Sequence, residues 1–551
     1  MTGWSGARSE AGPDDPEAGG LYASLVGALS TTIATATHGT GDLALPPAYD
    51  QEWLAAITAA PVNDPVWDRG QVAQADQAAA LGVLLGAGGR FEAGFISTVA
   101  NGILSYEEQY LARHGVSPWP GRTYAGVVGD GGAGVYDPVY GGDGGDPLVG
   151  VLTALSRHPE LTPELLDPDI GGPVSAARLE YLVARRDWSQ DSYGSVSLAL
   201  HAAGTAWHST RATPAQQERS ARITSSALYH LARRDGGKIG PEGAAALGDL
   251  LGAYVADIDR TLKYDDITLA QLAATGRQLP ATTAGIAPPE AWMKGLLPVG
   301  AEFELDELGL LLREIMLHDQ AVVNLAEGAS AFNTARIAAA AEAFEADVNM
   351  SMHGSVGSSA RLVGYLTGAL EAATVGDAAA KDARNAAFAS LATDLVGLIP
   401  ATDALTKFID GELTDRPQGK PMGKTAKSAV GLGVGEARSG MMDGLSLGTD
   451  HAGAAQAAAD QHAILTEANL RYLTAVAVAN SQHIPQAARY DAAGELLPWL
   501  QPGVDTGAVL SDPMVVRYKL MPWSREGSGF VTSLTSEVGD AFDDGMARGR
   551  R

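Results

Sequence analysis

The chain has no cysteine among its 551 residues. That excludes a disulfide framework, a thiolate zinc site, an iron–sulfur cluster and a cysteine nucleophile. Positive charge is also scarce: 38 Lys+Arg against 65 Asp+Glu leave a net charge of −27. Such a surface repels phosphate backbones, and no Lys/Arg run longer than a pair precedes Arg548, Arg550 and Arg551, so no nucleic acid partner is expected. Aromatic residues are 6% of the chain, too few for the sugar-stacking cleft of a helical-barrel glycosidase.

Long apolar runs are missing as well. The charge-free stretch from Leu21 to Gly41 is diluted by Ser24, Ser30, Thr31, Thr32, Thr35, Thr37, His38 and Thr40, and the stretch from Ala386 to Leu405 is broken by Asp394, Pro400 and Asp403. No integral membrane segment is expected. The first twenty residues carry one basic residue against several acids, the wrong flank for a Sec signal peptide. The expected location is cytoplasmic, or exported without a cleavable signal peptide.

Period-2 runs of Val, Ile, Tyr and Thr are nearly absent, whereas apolar residues recur every three or four positions. The pattern predicts an all-α protein, a multi-helix, bundle-like assembly in two or three packed units joined by long Gly/Pro/Asp-rich loops. Leu21, Leu25, Leu29 and Ile33 form the apolar stripe of a helix over Leu21–Thr37, and helices follow over 51–60 and 71–85. Phe91, Phe95, Val99, Ile103 and Tyr106 mark the next helix, which ends at Gly115 as its C-cap. Proline-led starts punctuate the chain after it: Asp146 before Pro147, Thr162 before Pro163, a Thr213/Gln216 capping box around Pro214, and Pro241 opening a helix to Leu262. Helices are also expected over 305–316, 333–350, 356–373, 378–398 and 452–482.

The expected domain organisation follows from these interruptions. Residues 1–19 read as a disordered acidic tail and 20–280 as an N-terminal helical domain containing a Gly/Asp loop at 115–146. A hinge at 281–300 leads to a C-terminal helical domain at 301–500 with a Gly/Lys loop at 411–448, and 501–551 read as an irregular acidic tail.

Several strings resemble functional motifs but lack the context these need. Gly419 to Thr425, GKPMGKT, has Gln418 where a phosphate-binding loop needs glycine, and no strand precedes it or the GLGVGEA string at 431–437. Asp130, Asp137, Asp143 and Asp146 stand among glycines but fit neither an EF-hand nor a nonapeptide calcium repeat. His201 and His208 lie seven apart on one expected helix and read as packed residues. Asp265 and Asp266 lack the third carboxylate of a helical cyclase, and Ser446 in Gly444-Leu445-Ser446-Leu447-Gly448 lacks the strand that leads into a nucleophile elbow. Trp188 reads as a helix-end hydrophobic contact. No catalytic, cofactor-binding or metal-ligating residue is assigned, and no cofactor is expected.

Asp146, Pro147, His158, Pro159, Glu160, Asp167, Pro168, Leu179, Tyr181, Leu182, Arg186 and Trp188 occur in an order that resembles an uncharacterised group of Ala/Gly-rich actinobacterial proteins associated with type VII (ESX-like) secretion loci. Trp4-Ser5-Gly6 matches the Trp-x-Gly turn of small helical hairpins of that pathway, yet none of the sixteen Tyr is followed four residues later by Asp or Glu, its common export signal. The resemblance implies a helical scaffold connected with secretion or intercellular competition, with other proteins as partners, and carries no catalytic residues. The expected function is a non-enzymatic scaffold or protein-interaction component. The alternative is a membrane-acting, toxin-like effector using the helices that flank 411–448.

Overall fold

The computed structural model of the chain describes residues 16–39, 78, 80–115, 118–119, 136–137, 142–143, 146–170, 173–208, 212–264, 300–342, 349–375, 489–490, 495–501, 504 and 529–551. The architecture is all-α, and the strands among these residues are two antiparallel dipeptides, β1 Tyr136–Asp137 and β2 Gly142–Asp143. Expectations placed on Trp4, on 281–299, on Asp265 and Asp266, on 378–482 and on Ser446 lie outside the described residues.

The chain divides into two compact units, Met1–Ala206 with Arg233–Leu247, and Trp207–Ala232 with Gly248–Arg551. The division does not fall at the expected hinge. Gly300, the last residue of that hinge, and Ala301 donate their N–H groups to the buried Asp257 carboxylate, both at 2.9 Å.

In the first unit, α1 (Pro16–Thr37) packs on a helical segment over 80–86. The buried stripe of α1 is Val26, Ser30 and Ala34, whereas Leu21 is 72% and Leu29 39% exposed. The leucine stripe expected to be internal therefore faces outward. Close approach decides this: Ser30 Oγ donates to the Leu84 carbonyl at 2.6 Å and accepts from Gly89 N at 2.9 Å, contacts a leucine-lined face would hold apart.

α2 (Ala93–His114) begins at Glu92, whose carboxylate accepts from Phe95 N, and ends at Gly115 with φ 71°, the left-handed C-cap that glycine favours. α3 (Pro147–Leu155) is buried at every residue and packs against α2; Gly82 and Gly150 let its backbone cross the 80–86 segment with no room for a Cβ. Asp146 caps α3, accepting from Leu148 N at 2.9 Å. α4 (Thr162–Leu166) starts at Leu161 without a side-chain cap, because Thr162 Oγ1 donates instead to the Leu155 and His158 carbonyls at 2.8 and 3.0 Å. α5 (Pro173–Glu180) leads into a π-turn, Tyr181–Arg185, and α6 (Gly194–Thr205) follows.

The second unit carries α7 (Pro214–Ala232), opened by the expected box in which Thr213 N donates to Gln216 Oε1 and Gln216 N to Thr213 Oγ1. The single helix expected from Pro241 is two, broken at the fully buried Tyr254: α8 (Pro241–Ala253), whose residues to Leu247 belong to the first unit, and α9 (Val255–Tyr264) in the second. α10 (Leu305–Ile315) packs on α7 with Leu308, Leu311, Leu312 and Ile315 inward. α11 (Asp319–Glu342) and α12 (Asn349–Val375) replace the expected 333–350 and 356–373 helices.

The region expected to be an irregular tail contains α13 (Gly529–Gly549), which packs along α12. Gly357 meets Glu537, Gly364 meets Phe542, Gly368 meets Met546 and Glu371 meets Arg550, so the two helices run parallel. Both carry Gly-x-x-x-Gly, at 364–368 and 545–549, which lets backbones touch without bulky side chains between them. A seam of small residues gives little apolar periodicity, and for that reason the sequence pattern looked weak.

Candidate functional site

The first unit buries an ion cluster assembled from four separate stretches of chain. Glu107, on α2, is fully buried, and both of its oxygens are occupied. Oε1 accepts from Arg186 Nε at 2.8 Å and from the Tyr181 hydroxyl; Oε2 accepts from Trp119 Nε1 at 2.7 Å and Arg186 Nη2 at 3.2 Å. Four donors fill the roughly four lone-pair sites of a carboxylate. Arg186 Nη2 also donates to Asp146 Oδ1 at 2.8 Å, and Nη1 lies 2.7 Å from Asp146 Oδ2, off hydrogen-bonding angle but within ion-pair reach.

Local structure explains why these groups meet. In the π-turn the Arg186 N–H reaches the Tyr181 carbonyl five residues back at 2.9 Å, and Tyr181 and Arg186 both contact Glu107. Trp188 fixes the guanidinium from one face: the Arg186 carbon stands 4.2 Å from its ring centroid, while Trp188 Nε1 donates to the Leu182 carbonyl at 2.6 Å. Trp188 is buried at the end of the π-turn, and its contacts there are a hydrogen bond and a stack on Arg186, where the sequence reading expected a hydrophobic contact. Arg178 pairs with Glu108 on the next position of α2, at 2.7 Å.

Burial raises the Asp146 carboxyl above its usual range despite the attraction of Arg186. Burial also drives the Tyr181 phenol upward, reinforced by Glu107. Arg186 stays charged because Asp146 and Glu107 together outweigh its desolvation. Asp191 is pushed up to about 6 by burial, partly countered by the hydroxyl and N–H of Ser195. Its Oδ2 accepts from Ser195 N at 2.7 Å in the first turn of α6, across two residues with left-handed backbone, Ser192 at φ 51° and Tyr193 at φ 65°. Outside glycine such angles cost stability, and here Ser192 O accepts from Gly240 N at 2.7 Å while the Tyr193 hydroxyl donates to Gly236 O at 2.9 Å.

A profile of a family of unknown function, DUF6571, matches residues 130–425, more than half of the chain. The chain belongs to that family. No curated protein and no solved structure matches it. The matched DUF6571 stretch includes Asp146, Tyr181, Arg186 and Asp191, whereas Glu107 and Trp119 precede it. The cluster therefore bolts the family region to the helix before it.

The remaining sequence expectations fall in scattered places. His201 lies on α6, but α6 ends at Thr205, so His208 is not on the same helix; its ring packs edge-on against Tyr254 at 4.6 Å in the second unit. Burial lowers the His208 imidazole to about 4. Asp137 and Asp143 belong to the paired dipeptides, and among the described residues no group of three or more His, Asp or Glu is placed to hold a metal ion. Glu107 had no sequence signal of its own, because Glu107 and Glu108 read as the polar face of an amphipathic helix.

Proposed function

We propose that the chain is a non-enzymatic helical scaffold that binds other proteins through helix faces, as part of a secretion or competition system. The observation that carries this reading is the outward row Leu21, Leu25 and Leu29 on α1, with Leu21 and Leu29 exposed and Leu25 half-buried. Leucines four apart on a helix that already buries the adjacent stripe of Val26, Ser30 and Ala34 suit insertion into a partner's apolar groove. The cluster at Glu107 supports the same reading, since its carboxylate oxygens are spent on holding the fold.

The test is retention of the purified products of neighbouring genes by the full-length chain. Leu21→Asp with Leu29→Asp is expected to abolish retention while the helical circular dichroism stays unchanged. Turnover of a substrate panel that is lost on replacing one acidic residue would overturn the proposal. Dye release from liposomes at neutral or acid pH would favour the membrane-acting alternative instead.

A further inference from the structure

One face of α12 is shaped for a helix that the matched family region does not itself supply. α12 lies within residues 130–425, whereas α13 begins at Gly529. Among the described elements α12 packs against α9, α10, α11 and α13, while the principal partner of α13 is α12. The seam is backbone on backbone: a Cβ at Gly364 or Gly368 would overlap the carbonyl oxygens of Phe542 and Met546, and one at Gly545 or Gly549 those of Arg361 and Tyr365. Val538, Ala541, Phe542 and Met546 are the apolar side chains that α13 buries.

Charge fixes register and direction. At one end of the face Arg361 Nε donates to Asp544 Oδ2 at 2.9 Å, and at the other the buried Glu371 accepts from Arg550 Nη2 at 2.6 Å and Nε at 2.8 Å. The face therefore fits a helix with two glycines four apart, an acid just before the first and an arginine just after the second. A larger residue at either glycine meets backbone that cannot yield, and a helix without the terminal cation leaves the buried Glu371 carboxylate without Arg550.

We propose that this face of α12 is a helix-docking groove, filled in cis by α13 and open to the α13 of a second copy when the chain's own α13 is displaced. Exchange of an identical element replaces every contact by its equal, while the tether raises the local concentration of a chain's own α13 and makes the closed single chain the resting form. This groove is separate from the outward face of α1 and does not depend on the scaffold reading.

The test pairs two full-length variants with complementary faults. Gly545→Val spoils the occupant and keeps the groove, whereas Gly364→Val spoils the groove and keeps the occupant. Mixed, they are expected to sediment as a complex that neither forms alone. A fluorescent peptide of residues 529–551 reads docking directly, and the Gly545→Val chain is expected to bind it about tenfold or more tightly than the wild-type chain, whose groove is filled. Asp544→Arg in the peptide is expected to weaken binding about fivefold or more, and Arg361→Asp in the Gly545→Val chain to restore it, which a general loss of fold would not do. If Gly545→Val does not fold, Phe542→Ala, which truncates a side chain of α13 alone, takes its place. No peptide binding by either variant, or equal affinity for the wild-type and Asp544→Arg peptides, would overturn the groove. Peptide binding with no complex in the mixture would overturn the exchange between copies.

Discussion

Gly545 lies directly on the backbone of Tyr365: a Cβ added at Gly545 would stand 2.8 Å from the Tyr365 nitrogen and closer still to the Arg361 carbonyl oxygen. Backbone cannot yield as a flexible side chain can, so Gly545→Val is expected to lower the stability of the α12–α13 pair by about 3 kcal/mol or more. Limited proteolysis should then release α13. Asp544→Asn, which removes the half-exposed ion pair to Arg361 at 2.9 Å, is the control and should cost less than about 1 kcal/mol.

Arg186 neutralises two buried carboxylates at once. Arg186→Met leaves Glu107 and Asp146 facing each other without a cation, and is expected to cost about 3–5 kcal/mol by urea denaturation. Adding Glu107→Gln and Asp146→Asn to Arg186→Met should restore much of that loss, because it is the unpaired charge that destabilises and the glutamine oxygen still accepts from Trp119 or Tyr181.

Asp191 gives the first unit a pH response of unusual sign. Its folded value of about 6 lies above the ordinary 3.8, so the folded state holds the proton more tightly than the unfolded one. Stability is therefore gained as pH falls through about 6, is complete below about 4, and amounts to at most about 3 kcal/mol. Protection factors of α6 amides at pH 5 and 7, with the intrinsic exchange rate divided out, measure it, and Asp191→Asn should flatten the difference.

His208 acts in the opposite direction on the second unit. Its folded value of about 4 lies below the ordinary 6.5, so the unfolded state binds the proton more tightly. The contribution is intact above about 6.5 and is lost progressively as pH falls towards 4, up to about 3 kcal/mol. Acidification from pH 7 to 5 should lower the protection factors around Tyr254, with the intrinsic exchange rate divided out, while it raises those in α6. His208→Phe should remove the first effect only.

Asn333, on α11, is fully buried, and among the described residues neither end of its amide has a hydrogen-bond partner. A buried amide left unpaired costs about 1–3 kcal/mol relative to an apolar group of similar size. Asn333→Leu is accordingly expected to raise the melting temperature. A fall would show that the amide makes a contact that leucine cannot replace.

The helical class and many of the helix starts were legible because their signals are local. Asp146 before Pro147 and Thr213 with Gln216 act within one turn, and Gly115 needs only its own left-handed backbone. α13 and the inner face of α1 were not legible. Their packing depends on glycine and serine lying against distant backbone, at Gly364, Gly545, Ser30 and Gly89, and such residues carry no apolar period. Nor was the Glu107 cluster, since Trp119, Asp146 and Arg186 are separated along the chain by stretches that say nothing about one another.

Composition and spacing by themselves settled that this is an acidic, cysteine-free chain of helices, because helix formation and capping are short-range. Tertiary structure alone decided which faces of those helices are inside, where the two units part and which charges share one buried site. Those outcomes turn on how closely two backbones can approach and on whether a desolvated charge finds its partner, and both are properties of residues brought together only by folding.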